Sequence, residues 1–108
     1  MTDKPSTYAD VAVAFLSPEE GGRHTPPCLN NKKYRPHFRV LGSKKWLGVE
    51  FIEGPDEPVK PGMSTPSTVR LLYAPEVSYG ELREGTKFEI LEGPNVVGSG
   101  EVIRKTVK

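Results

Sequence analysis

The sequence has almost no means of cross-linking itself. Its 108 residues include a single cysteine, Cys28, so no internal disulfide can form and nothing calls for an oxidising compartment. Long apolar runs are missing too. The first such run, residues 11–16, is too short for a signal-peptide core and far too short to span a bilayer. The expectation is a cytoplasmic protein with no membrane association. Neither sign of charge dominates: 15 basic residues face 14 acidic ones, a net charge of +1. Any nucleic-acid contact must therefore come from a local patch and not from the overall field. Metal patterns are lacking, because His24, Cys28 and His37 stand at spacings that fit no structural zinc site. No phosphate-cradling Gly-x-x-x-x-Gly-Lys-Ser/Thr loop occurs either, so nucleotide hydrolysis by this chain is not expected. No cofactor and no metal are expected.

What the chain does have is punctuation. It carries 11 glycines and 11 prolines, and only 35% of its residues are apolar. Both punctuating residues break helix interiors, which argues for short strands joined by tight turns. The length is that of one domain, large enough to fold without staples. Period-two alternation marks strands over residues 9–16, 37–41, 46–52, 68–74, 87–91 and 96–103. In the first, Val11, Val13 and Phe15 alternate with Ala12 and Ala14. In the fourth, Val69, Leu71 and Tyr73 share a face. The prediction is an all-β chain: a small six-stranded antiparallel β-barrel over residues 9–108, preceded by a flexible polar segment, 1–8. Closure into a barrel removes exposed strand edges. Met1 and the charged ending Arg104-Lys105-Thr106-Val107-Lys108 favour a complete small protein over one piece of a larger one.

Residues 17–36 carry no apolar period. A loop of that length is unusual in a compact domain and is often functional. It contains Glu19-Glu20-Gly21-Gly22-Arg23-His24-Thr25-Pro26 and leads into Tyr34-Arg35-Pro36-His37-Phe38. Gly21 and Gly22 permit positive φ and close backbone approach. Arg23 is a planar fork of donors for a carboxylate or phosphate, and His24 can change charge near neutral pH. The prolines stiffen the loop and lower the entropy cost of binding. The competing reading is a loop pinned to its own barrel by Arg23 and Tyr34. A second stretch, Gly42-Ser43-Lys44-Lys45-Trp46, offers two lysines for a phosphate and an indole for stacking. Its competing reading, the favoured one, is a hairpin tip with Trp46 turned into the core. His24 and Cys28 lack an orienting acid and an oxyanion hole, so no catalytic residues are assigned.

These stretches also resemble a known family. The first motif, then Gly48-Val49-Glu50, Pro61-Gly62, Gly85-Thr86-Lys87-Phe88-Glu89-Ile90-Leu91-Glu92-Gly93 and Val97-Gly98-Ser99-Gly100-Glu101-Val102, follow the order seen in the C-terminal, third β-barrel domain of elongation factor Tu and related translational GTPases. The resemblance spans residues 9–103 and implies that barrel type. It implies that Gly21, Gly22, Arg23, His24 and His37 sit where the GTPase domain docks, although the family usually has Gln in place of His37. It places Glu92 and Gly93 in the hairpin that helps hold the T stem of aminoacyl-tRNA, with Pro94-Asn95 standing where the family has Gly-Arg. Lys44, Lys45 and Trp46 fall where the family has a loop near the tRNA. The expected function is a non-catalytic binding module, not an enzyme. It would dock a protein partner, a translation factor or GTPase-like domain, with aminoacyl-tRNA as the second expectation. The alternative is a regulatory or inhibitory protein-interaction domain unrelated to translation that reuses the barrel.

Overall fold

The computed structural model describes residues 6–107. Alternating side chains build six strands: β1 (Thr7–Phe15), β2 (His37–Val40), β3 (Leu47–Glu53), β4 (Thr65–Leu71), β5 (Lys87–Glu92) and β6 (Asn95–Val107). All pair antiparallel in the order β1-β4-β3-β2-β5-β6, and β6 closes back onto β1. The fold is the small six-stranded antiparallel barrel expected from the sequence.

Three local expectations need correction. β1 begins at Thr7, paired with Val107, so Thr7 and Tyr8 belong to the sheet and not to a loose leader. Residues 1–5 of that expected segment lie outside the described residues. β4 starts earlier than the apolar alternation suggests and takes in Pro66, opposite Ala12. The imino acid is tolerated there because pairing with β3 begins only at Thr68. β4 also stops at Leu71, where the Ala74 N–H donates to the Leu71 carbonyl at 3.3 Å and turns the chain. Tyr73 therefore leaves the face of Val69 and Leu71 and stands 54% exposed.

The interior is filled by aromatic and branched side chains. Phe38 stacks on Phe88 at 4.0 Å between centroids, and Phe51 meets Phe38 edge-on at 5.9 Å. Val11, Val13, Val69 and Ile90 complete this layer. Closure depends on a missing side chain: a Cβ at Gly100 would lie 2.5 Å from the Ala12 carbonyl oxygen and 2.7 Å from the Phe88 ring. The loop after β4 caps one end, burying Tyr79 and Leu82, and the Tyr79 hydroxyl donates to the Gly48 carbonyl at 2.6 Å. The shortest seam is β2–β3, with only the pairs His37–Gly48 and Phe38–Leu47. Backbone bonds from Val49 to Pro36 at 3.1 Å and from Phe51 to Tyr34 at 3.0 Å continue it past the end of β2.

Candidate docking surfaces

The segment between β1 and β2 is more ordered than its lack of period suggests. Pro18–Glu20 form one 3-10 turn, and the Ser17 N–H and hydroxyl both donate to the Glu20 carboxylate at 3.0 Å. Those bonds hold the exposed Glu20 carboxyl below its usual value. Gly21 ends the turn with φ +97°, and its N–H donates to Pro18. Gly22 then passes so close to the end of β1 that a Cβ would lie 2.1 Å from the Leu16 carbonyl oxygen. The close approach expected of this glycine pair is made to the chain's own backbone. Further along, Leu29 is buried against Gly54, the Cys28 thiol donates to Asn30 at 2.9 Å, and Asn30 donates to Asp56 at 2.8 Å. His24 stays exposed, without an ion pair or hydrogen bond among the described residues.

Arg23 folds back onto the barrel. Its Nε donates to the Thr25 carbonyl at 2.8 Å, its Nη1 donates to Glu92 Oε2 at 2.5 Å, and its guanidinium lies 5.1 Å from the centre of the Tyr34 ring. The Tyr34 hydroxyl donates to the same Glu92 oxygen at 2.6 Å. The Tyr34 ring itself is wedged between Phe15 at 6.0 Å and Phe51 at 5.4 Å. The loop is thus clasped to the β5–β6 hairpin, the pinned arrangement that the residues allowed. Burial works against the Arg23 charge, but Glu92 and Tyr34 outweigh it and hold the guanidinium above its ordinary value. Burial, then the Glu92 carboxylate, push the Tyr34 phenol well above its usual range. Glu92 is therefore engaged within the molecule. Gly93 turns the hairpin with φ +56° and remains exposed with Pro94 and Asn95.

The second surface is aromatic. Trp46 is 44% exposed, which overturns its expected turn into the core. Residues of a strand alternate faces, and Leu47 takes the inward place that the indole would need. The indole instead meets the outward His37 ring at 5.7 Å. Gly48, paired across from His37, has no side chain on this face, and the Tyr73 ring fills the space: a Cβ at Gly48 would lie 2.5 Å from it. Trp46, His37 and Tyr73 thus share one outer face. Of the neighbouring lysines, Lys45 reaches Glu81 at 3.7 Å, whereas Lys44 has no partner among the described residues.

The two expected surfaces are consequently not separate. Arg23 of the docking set is bound to Glu92 of the RNA set, and His37 of the docking set touches Trp46 of the RNA set. Nothing in the local residue pattern marks Tyr73 as a member, because its place over Gly48 depends on the turn after Leu71. A third polar cluster was also missed. Glu50, only 4% exposed, accepts from Arg35 at 2.9 Å and from Arg70 at 3.3 Å on the outside of the barrel. The spacing of those arginines in sequence carries no signal of their meeting. Set against models of known protein families, the chain matches none.

Proposed function

We propose that this chain is a non-catalytic binding module of the kind represented by the third domain of elongation factor Tu, docking a protein partner such as a translation factor or GTPase-like domain. The observation that carries this reading is the outward face of Trp46, His37 and Tyr73. The barrel interior is packed with side chains, so recognition belongs on the outside. Exposed rings of this kind act as anchors in protein interfaces. His24 and Gly21, which the resemblance assigns to the docking set with His37, also stand exposed. The test is calorimetric titration of the chain with the isolated GTPase domain of elongation factor Tu. Saturable binding that weakens at least about tenfold in a His37→Ala/Trp46→Ala double variant is expected. No saturable binding, or equal binding by the variant, overturns the reading.

Aminoacyl-tRNA is the weaker proposal, because Glu92 is occupied by Arg23 and Tyr34 and the hairpin carries Pro94-Asn95. The same departures favour, as the second reading, a regulatory or inhibitory domain outside translation. Titrations with the GTPase domain and with aminoacyl-tRNA that both fail would support it.

A further inference from the structure

Two irregularities converge on one stretch of the barrel wall. Between β1 and β6 the register passes from Asp10–Arg104 to Val11–Val102, which leaves Ile103 without an opposite residue. Between β3 and β4 it passes from Phe51–Val69 to Glu53–Thr68, which leaves Ile52 without one. An extra residue of this kind bends its strand and disrupts the ladder locally. Two adjoining cavities, of about 500 Å³ and about 520 Å³, lie at these points. Ile52 lines the first, Ile103 the second, and Asp10, Glu53 and Thr68 line both. Each is the size of a small-molecule site. The polar groups in this cleft are unequally spent. The Asp10 carboxylate accepts from the Thr68 hydroxyl at 2.7 Å and from Arg104 Nη2 at 2.7 Å, so the Arg104 charge is already matched. Glu53 forms no ion pair or hydrogen bond among the described residues. Ser67, 7% exposed, lines the second cavity, and its hydroxyl has no hydrogen-bond partner among the described residues. A buried hydroxyl in that state is costly until a water or a ligand completes it. Pro55, Pro66 and Ile103 supply apolar walls.

We propose that this cleft is a binding site for a small aliphatic amine, its ammonium on Glu53 and its alkyl chain along Ile103, Pro55 and Pro66. The charge balance carries the choice. Asp10 and Glu53 set two negative charges against one from Arg104, so one further cation completes the cleft and an anion is repelled. An ammonium has three donors and no acceptor, which suits a lining of carboxylates and hydroxyls. Tyr8 is the single aromatic ring in the two linings, too few for the cage that a quaternary ammonium takes. The cleft shares no residue with the Trp46–His37–Tyr73 face, so it stands apart from the docking reading.

Amide NMR spectra of the isotope-labelled chain read the site residue by residue. The probes are hexylamine, hexanol, hexanoate and a lysine capped at both ends. Hexylamine is expected to shift amides saturably, most strongly at Asp10, Glu53, Thr68 and Ile103. It should bind about fivefold more tightly than hexanol. Hexanoate should bind more weakly than the alcohol. Glu53→Gln should bring hexylamine down to about the affinity of the alcohol. Glu53 is exposed, so the barrel should stay intact, and unchanged shifts away from the cleft check this. Should that variant fail to fold, the order of amine, alcohol and acid in the parent chain decides. Any of four results overturns the proposal: no saturable shift with hexylamine, hexanol or hexanoate bound as tightly, shifts centred outside the cleft, or equal hexylamine binding by folded Glu53→Gln. Capped lysine bound more tightly than hexylamine would also overturn it, because the cleft would then take a lysine side chain of a partner protein and not a free amine.

Discussion

Gly22 has no room for a side chain, and Gly21 has room but the wrong backbone. That difference separates two substitutions which look alike in sequence. A Cβ at Gly22 collides with the Leu16 carbonyl, backbone that cannot swing aside. Gly22→Ala should cost about 2–3 kcal/mol and shift the whole segment before β2. Gly21→Ala meets nothing within 4 Å but keeps φ +97°, so about 1–2 kcal/mol is expected, partly recovered by Gly21→Asn. Urea unfolding of the three variants checks the order. Tyr34 makes a second prediction at this scale. Its phenol is raised by burial and by Glu92 in the folded chain. Below about pH 10 folded and unfolded chains both keep the proton, and the stability from the Tyr34–Glu92 contact is whole. Above it the unfolded chain ionises first, so stability falls as pH rises. Tyr34→Phe loses about 1 kcal/mol near neutrality with the hydroxyl bond, and should then fall less steeply than the parent between about pH 9 and about pH 11. Equal slopes would remove the clasp as the source.

Among the elements, β2 is the least secured. It has four residues, pairs with β5 at all four, and pairs with β3 at only two. The Arg35–Glu50–Arg70 cluster ties the chain just before β2 to β3 and β4 across that seam. Glu50→Gln leaves both guanidiniums without their shared carboxylate. Because the arginine side chains are 60% and 38% exposed, water takes over much of the loss, and about 1–2 kcal/mol is expected. Hydrogen exchange should show the β2 amides opening before those of β1, with the gap widened in Glu50→Gln. This is also the scale at which sequence was most legible. Val11, Val13 and Phe15 alternate, and all three are buried, because a half-buried strand imposes period two on its own residues. Trp46, Tyr73 and Glu92 were read less well for the opposite reason. Where each side chain goes depends on residues far along the chain: His37, Gly48 and Arg23 respectively. A loop pinned to its own barrel by Arg23 and Tyr34 was the competing reading, because those residue types suit it, but it did not include Glu92 as their shared partner.

Across the whole molecule, charge is spent locally. Arg23 with Glu92, Arg35 and Arg70 with Glu50, Arg39 with Glu89, and Arg104 with Asp10 each close an ion pair on the barrel exterior. With these pairs closed and a net charge of +1, the molecule projects little field beyond a few ångströms in physiological salt. A partner held by the exposed rings should therefore feel salt weakly. Raising salt from about 50 mM to about 200 mM should change the affinity for the GTPase domain by less than about threefold. A ligand held through six or more phosphates would lose on the order of a thousandfold or more over the same range. Calorimetry at the two salt concentrations separates these outcomes without knowledge of the contact residues. A loss above about a hundredfold for the GTPase domain would assign the affinity to ion pairs and not to the rings. A flat response, with binding still lost in His37→Ala/Trp46→Ala, would fix the outer aromatic face as the source of the affinity.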